Sequence, residues 1–298
     1  MEFLAETKGE CEEILGRYPH PEGALLPILH LAMREWGHIP PEASGVRDAL
    51  AEVERLSELL PTQTRRTAEQ NDYQQFSTPA AYAGLCAWVS GLGEGNRVLE
   101  PSAGTGALCT FALASGAMVH ANELSDRRAD LLAVLLEEAG QDPSQTLTRE
   151  NADHLDAILA PSVRADVVLM TPPFSMTAGR LGRRRVPTVG TDHVLQALRR
   201  LEPGGRLVAV LSAGVRRDKP THRPFFQALD ADPFRLRAEV EVDGSVYRPY
   251  GTSVRTRLLV VDRVSETSSG GGRARVTATA ESIANAIGVL ARVRVLVG

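Results

Sequence analysis

Short apolar runs alternate with longer amphipathic stretches from about residue 97 to residue 211. The apolar runs are RVLE (97–100), MVHAN (118–122), TLTRE (146–150), DVVLM (166–170) and RLVAVL (206–211). Apolar residues recur at helical spacing in the stretches 107–115, 126–140 and 192–200. Because strands that alternate with helices form parallel sheets covered on both faces, this pattern predicts an α/β fold.

Two further β-rich runs follow, AEVEVDG (238–244) and RLLVVDR (257–263), with two glycines in the loop that joins them. Such a pair predicts antiparallel strands at an edge of the sheet. We therefore expect a mainly parallel sheet of seven strands with a reversed terminal strand.

The regions that flank this pattern differ from it. Residues 1–60 carry apolar residues at helical spacing between prolines, which predicts a helical appendage. A part of it, 17–43, resembles the helical start of an iron-sulfur subunit of respiratory NADH dehydrogenase, although the cysteines that hold the cluster in that family are missing. Residues 61–72 are polar and aperiodic, as linkers are, and the main domain is expected over 73–264. Residues 265–298 are expected to form a flexible linker and a C-terminal tail.

Composition narrows the class of protein. With 298 residues, 43% of them hydrophobic and 23% charged, the chain has the composition of a soluble globular protein. The formal net charge of -4 gives no general attraction to nucleic acid, so contact with phosphates would need a local basic patch. Cysteines 11, 86 and 109 are too far apart for a disulfide framework or a pair of metal ligands. Since no apolar run has the length of a spanning helix, we expect a cytoplasmic protein. The seven histidines are scattered without a close pair at metal-ligand spacing, so we expect no metal site.

A glycine-rich loop, LEPSAGTGAL (99–108), follows the first predicted strand and precedes a helix. Without side chains at Gly104 and Gly106, the backbone can approach a ligand at the helix N-terminus. A dinucleotide fingerprint would have a third glycine where Cys109 stands, so NAD is disfavoured. The loop predicts a nucleotide-like cofactor, with a tight turn that binds no ligand as the alternative.

Two acidic residues follow the next strands at the same edge of the predicted sheet. Glu123 ends the second run, where a doubly wound fold presents an acid to ribose hydroxyls, and we interpret it as a ribose ligand. Asp153 follows the third run, where its carboxylate could accept a hydrogen bond from the adenine amine of a cofactor.

The fourth run leads into Thr171-Pro172-Pro173-Phe174. Two prolines fix φ and remove hydrogen-bond donors, so the loop presents carbonyl oxygens, a polar side chain and an aromatic face in a rigid arrangement. Such a set of acceptors suits an amine.

LEPSAGTG, the acidic ANE (121–123) and the Pro-Pro-Phe loop resemble motifs of amino-methyltransferases that act on adenine, and QQFSTP (74–79) resembles their additional cofactor-contacting segment. The resemblance spans about residues 70–263. Its later part, with ALRRLEPGGRLVAVLS (197–212), YGT (250–252) and TRL (256–258), is similar to the methyltransferase-like domain attached to strawberry-notch-type helicases of phages and plasmids.

The resemblance implies a Rossmann-like class I methyltransferase fold, S-adenosylmethionine as cofactor and transfer of a methyl group to the exocyclic amine of adenine in DNA. A helicase or another mobile-element protein is the implied partner. The cofactor-binding residues that it implies are Phe76, Ser77, Thr78, Glu100, Ser102, Gly104, Gly106, Glu123 and Asp153.

The four loop residues are the implied catalytic residues. Phe174 would stack on a base that has left the duplex. The Pro172 carbonyl and the side chain of Thr171 would accept hydrogen bonds from the amine. Family members have Asn, Asp or Ser at the first position, so Thr171 predicts a slow enzyme or an inactive one.

Four arginines follow Phe174 closely and could hold phosphates: Arg180, Arg183, Arg184 and Arg185. A solvated loop without a ligand is the alternative.

For the whole chain two further hypotheses stay open. The acceptor could be an RNA adenine or a protein glutamine, or the chain could be a cofactor-binding or DNA-binding module that has lost catalysis.

Overall fold

The computed structural model describes residues 42–57, 77–174, 176–177, 185–265 and 275–294. The strands are β1 Arg97–Glu100, β2 Met118–Asn122, β3 Leu147–Thr148, β4 Ala165–Met170, β5 Met176–Thr177, β6 Arg185–Val186, β7 Leu201–Ser212, β8 Phe234–Val242, β9 Thr256–Arg263 and β10 Val276–Ala280. The α-helices are α1 Ala43–Ser57, α2 Ala80–Ser90, α3 Ala107–Ala114, α4 Asp126–Glu138, α5 Pro143–Thr146, α6 Leu155–Ile158, α7 Val189–Arg200, α8 Arg223–Asp230 and α9 Ile283–Arg294.

Eight of the strands form one sheet in the order β10-β8-β9-β7-β4-β1-β2-β3, and β5 and β6 form a separate hairpin. The strands β3, β2, β1, β4 and β7 are parallel neighbours. Strand β9 runs antiparallel to both β7 and β8, while β10 is parallel to β8. The predicted α/β fold with a parallel sheet is confirmed.

The predicted number of strands is wrong, because β10 adds an eighth strand to the sheet. It lies in the segment that the sequence analysis assigned to the C-terminal tail. For the same reason β8 and β9 are antiparallel but do not form the edge of the sheet, and the reversed strand β9 is not the last one along the chain. Only five residues form β10, and they follow a run of glycines and serines, so the local pattern gives little sign of a strand.

Both faces of the sheet are covered, as alternation along β4 shows. Val167 and Leu169 point into a core shared with α2, α3 and α9, whereas Val168 and Met170 point into a second core with α7 and α8. Helix α2 was not predicted because all 11 of its residues are buried and it has no polar stripe.

The described part of the predicted helical appendage is α1. Its residues Val46, Leu50 and Val53 are buried in the first core, at the spacing of one helix face. Residues 1–41 and the predicted linker 61–72 lie outside the described residues. Among the described helices, none has the length and apolar character that a membrane span requires.

Candidate functional site

The glycine loop connects β1 to α3, and its two glycines have left-handed backbone conformations, with φ of 60° at Gly104 and 93° at Gly106. A Cβ atom on Gly106 would lie 2.8 Å from Leu132 Cδ1 and 3.0 Å from Leu135 Cδ2, so this glycine lets the loop pack against α4. A Cβ atom on Gly104 would meet nothing within 4 Å among the described residues. The backbone at Gly104 therefore faces open space, where a ligand can approach it.

Glu123 follows β2 directly and holds the glycine loop. Its Oε2 accepts a hydrogen bond from the Gly104 N–H at 2.8 Å, and its Oε1 accepts one from the Ser125 N–H at 2.9 Å. An ionised carboxylate has about four acceptor positions, so both oxygens retain acceptor capacity. Only 4% of Glu123 is exposed, and the residue lines the same cleft as Gly104.

Asn122, one residue earlier, joins the loops on either side of β2. Its side-chain N–H groups donate to the Pro101 carbonyl at 3.0 Å and the Glu150 carbonyl at 2.9 Å. Its Oδ1 accepts from the Thr148 hydroxyl at 2.8 Å and the Glu150 N–H at 3.1 Å. The side chain is buried and fully hydrogen-bonded, so it is part of the framework of the site.

Asp153 lies in the 3-10 helix Ala152–His154 that follows β3. Its Oδ1 lies 2.8 Å from His193 Nε2, and its Oδ2 accepts a long hydrogen bond of 3.3 Å from the Asn151 side chain. The Asp153 side chain is 30% exposed, whereas the His193 side chain is 5% exposed. One oxygen of the carboxylate is thus bonded to a buried imidazole, and the second oxygen can accept further hydrogen bonds.

The Pro-Pro loop begins where β4 ends. The Thr78 hydroxyl donates a hydrogen bond of 3.0 Å to the Thr171 hydroxyl, so the segment before α2 contacts the loop. Phe174 forms an edge-to-face contact with Tyr247, with 6.5 Å between ring centroids. A Cβ atom on Gly190 would lie 3.1 Å from the Pro173 carbonyl oxygen, so glycine lets the first turn of α7 pack closely against the loop.

These segments meet in one cleft at the carboxyl ends of β1, β2 and β4, which is where open α/β sheets bind ligands. The cleft is lined by Pro101, Ser102, Gly104, Asn122, Glu123, Leu124, Arg128, Glu150, Asn151, Ala152, Asp153, Thr171, Pro172, Pro173, Phe174 and His193. The expected ribose ligand, the expected adenine ligand and all four residues of the Pro-Pro loop therefore share one cavity.

Glu100 and Gly106, in contrast, do not line this cleft. Glu100 is 2% exposed, and its Oε2 accepts a hydrogen bond of 2.6 Å from the Cys109 thiol. Burial raises the pKa of Glu100 from 4.5 to about 8, and the nearby charge of Glu123 acts in the same direction. Glu100 therefore joins the end of β1 to α3, the two elements that the glycine loop connects.

The remaining predicted residues are placed as follows. Thr78 is buried and Ser77 is partly exposed, while Phe76, Arg180, Arg183 and Arg184 lie outside the described residues. Arg185 begins β6 of the hairpin. Two other arginines near the carboxyl end of β7 are paired with acids, Arg216 with Asp218 and Arg217 with Asp230.

Four residues at or beside the site were not found from the sequence. His193 lies on α7 and could be seen only as one of several scattered histidines. Tyr247 lies in the 3-10 helix Gly244–Tyr250, about 70 residues after the Phe174 that it contacts. Leu124 and Arg128 line the cleft because they follow Glu123, and their position next to that acid is a signal that could have identified them.

No protein-family model and no curated protein sequence matches the chain. Solved structures do match it. A protein from Listeria monocytogenes described as a class I S-adenosylmethionine-dependent methyltransferase superposes with a TM-score of 0.55 and 14% identity, over 86% of this chain and 80% of that one. A modification subunit of a type I restriction enzyme from Vibrio vulnificus gives a TM-score of 0.53 and 17% identity, over 79% of this chain. The M protein of the type I restriction enzyme EcoKI gives a TM-score of 0.52 and 14% identity, over 88% of this chain and 67% of that one.

Structural similarity at sequence identities of 14–17% shows that the folds are alike and nothing further. The chain has the Rossmann-like α/β fold of class I methyltransferases, with an eight-stranded mixed sheet. It spans 55% of the length of the Vibrio subunit. The similarity to strawberry-notch-type proteins stays a prediction from the sequence.

Proposed function

We propose that the protein transfers a methyl group from S-adenosylmethionine to the exocyclic amine of adenine in DNA. The observation that carries the proposal is the single cleft lined by Gly104, Glu123, Asp153 and the loop Thr171–Phe174. A cofactor region and an acceptor region adjoin in that cleft, as group transfer requires.

The chemistry of the cleft fits the cofactor. Both oxygens of Glu123 can accept further hydrogen bonds from ribose hydroxyls, and Asp153 Oδ2 can accept a hydrogen bond from the adenine amine. The open backbone at Gly104, with Ser102 beside it, allows close approach of the ligand. When bound, S-adenosylmethionine supplies an electrophilic methyl group on a sulfonium sulfur. Phe76, Ser77 and Thr78 complete the proposed cofactor set, whereas Glu100 and Gly106 do not line the cleft and would act only through the glycine loop.

The Pro-Pro loop would act on the acceptor amine. The Thr171 oxygen and the Pro172 carbonyl accept its two N–H groups, which directs the nitrogen lone pair out of the plane of the base and stabilises the charge that develops. The nitrogen–carbon bond would form as the carbon–sulfur bond of the sulfonium breaks, and one of the two amine protons would then pass to solvent. Phe174 stacks on the base, and its edge-to-face contact with Tyr247 holds the ring in place.

Three observations favour DNA as the acceptor. The Pro-Pro-Phe motif resembles that of adenine methyltransferases, and two of the structural relatives belong to type I restriction systems. The arginines at 180 and 183–185 follow the loop closely and would bind the phosphates beside the extruded base. Assembly with further subunits or with a helicase belongs to the same proposal.

A second candidate function is a cofactor-binding module without transfer. The hydrogen bond from Thr78 to Thr171 favours it, because this bond occupies acceptor capacity of the oxygen that the amine would use.

Calorimetry with S-adenosylmethionine tests the proposal. We expect Glu123→Ala to reduce the binding free energy of the cofactor by about 1.5–3 kcal/mol, which is roughly a 10-fold to 160-fold loss of affinity. The substitution removes a carboxylate that accepts hydrogen bonds from two ribose hydroxyls. Glu137→Ala, an exposed acid on α4, is the matched control and should bind like the parent. Thermal unfolding of each variant separates loss of the ligand contact from loss of the glycine loop that Glu123 holds. Absence of binding by the folded parent would overturn the proposal.

A further inference from the structure

One face of α7 holds the segment that follows β3. His193, Gln196 and Arg200 lie at positions i, i+3 and i+7, so they share a face of the helix. The Gln196 side chain donates to the Asp153 carbonyl and accepts from the Asp156 N–H at 3.1 Å. Arg200 donates to the Asp156 carboxylate at 2.8 Å and to the Ala160 carbonyl at 2.8 Å. The wall of the cleft that carries Asp153 is therefore fastened to α7 over two turns.

His193 is the member of this face that reaches the cleft. It is 4% exposed, and its Nε2 lies 2.8 Å from Asp153 Oδ1. Its Nδ1 is buried and has no hydrogen-bond partner among the described residues. A carboxylate oxygen accepts hydrogen bonds, so His193 Nε2 is the donor in this pair. Among the described residues, the contact with Asp153 is therefore the only hydrogen bond of this imidazole.

This hydrogen bond matters for Asp153. Its Oδ1 is occupied by His193, whereas the described residues give Oδ2 only the long contact of 3.3 Å with the Asn151 side chain. Because His193 is buried, its hydrogen bond restricts the rotation of the carboxylate and leaves Oδ2 for a ligand. A carboxylate held in this orientation accepts a hydrogen bond from an amine, and it repels a carbonyl oxygen that takes the position of the amine.

We propose that His193 is a positioning residue that makes the site select 6-aminopurine over 6-oxopurine in its cofactor. The proposal rests on the proposed function, because it takes Asp153 as the ligand of the adenine amine. In this proposal the effect of His193 on the ligand amine passes through Asp153.

Calorimetry with two unreactive probes tests this: S-adenosylhomocysteine, and S-inosylhomocysteine, in which a carbonyl oxygen replaces the amine. The parent should bind the adenine probe more tightly. His193→Leu should lower the affinity for the adenine probe about tenfold and leave the affinity for the inosine probe unchanged, so that selectivity between the two falls. His193→Gln should rescue selectivity, because the glutamine amide nitrogen is as many bonds from the backbone as Nε2.

His222 provides the matched control. It is also 4% exposed with an unpartnered Nδ1, but it does not line the cleft. We expect His222→Leu to change stability without changing selectivity. In an Asp153→Ala background, His193→Leu should cause no further loss of affinity.

Three results would overturn the inference. Equal weakening of both probes by His193→Leu would make the role merely structural. Equal binding of the two probes by the parent would remove the contact between Asp153 and the amine, while cofactor binding itself would stand. Binding of neither probe by the parent would overturn the proposed function together with the inference.

Discussion

Thr171 is the residue on which the proposed methyl transfer depends most. Its hydroxyl oxygen already accepts a hydrogen bond from Thr78 at 3.0 Å, and a β-branched hydroxyl is shorter than the carboxamide of asparagine. The acceptor amine must therefore share this oxygen with Thr78, or approach the Pro172 carbonyl alone. Either arrangement weakens the stabilisation of the charge that develops during transfer.

Thr171→Asn should raise methyl transfer to adenine in DNA. A longer planar acceptor restores a hydrogen bond of about 1–3 kcal/mol, which corresponds to roughly a 5-fold to 160-fold higher rate. The measurement is incorporation of labelled methyl groups under single-turnover conditions, with cofactor binding followed separately and expected to stay unchanged. A folded Asn variant that binds cofactor and is no faster on DNA would argue against adenine in DNA as the acceptor.

At the scale of elements, the glycine loop and helix α4 depend on each other. Gly106 has a left-handed φ, and its missing side chain leaves room for Leu132 and Leu135. The packing of α4 thus fixes the loop that carries Gly104, and Glu123 fixes it from the other side.

Gly106→Ala should lower the free energy of unfolding by about 1–3 kcal/mol, because alanine at positive φ is strained and its Cβ meets α4. Gly288→Ala is the control. This exposed glycine in α9 has open space around a new Cβ, so alanine should stabilise by about 0.4–1 kcal/mol. Denaturant unfolding of both variants measures the difference. Equal stabilisation by the two substitutions would show that the loop does not need glycine at 106.

Elements with one-sided patterns could be predicted from the sequence, and others could not. Helices α3, α4 and α7 begin or end within a few residues of the predicted bounds. Helix α2 was missed because burial on all sides removes periodicity, and β10 was missed because a strand of five residues gains its stability from pairing with β8. In the site, Glu123 and the Pro-Pro loop have local signatures, whereas the pairing of Asp153 with His193 joins residues 40 positions apart.

For the whole molecule, the C-terminal segment is part of the core. The buried Arg206 donates to the carbonyls of Val89 in α2 at 3.0 Å and Val293 in α9 at 3.3 Å. It also pairs with Asp262 at 2.6 Å, so its charge is compensated. One side chain thus connects the sheet with the ends of two helices, and α9 covers the first core.

Leu290→Ala should lower the free energy of unfolding by about 2–5 kcal/mol, because Leu290 is 0% exposed in that core. Arg292→Ala, at an exposed position of the same helix, should change it by less than about 0.5 kcal/mol. Chemical denaturation measures both. If Leu290→Ala proved as neutral as its control, α9 would be a separate appendage.

Methyl transfer to a set of acceptors tests the proposed activity most directly. The parent is incubated with methyl-labelled S-adenosylmethionine and, in separate reactions, unmethylated DNA, RNA and a protein mixture, followed by digestion and chromatography. We expect label in N6-methyldeoxyadenosine from DNA, little of it with Glu123→Ala or Phe174→Ala, and the parental amount with Glu137→Ala. Label confined to RNA or protein, or no transfer to DNA by a parent that binds the cofactor, would contradict adenine in DNA as the substrate.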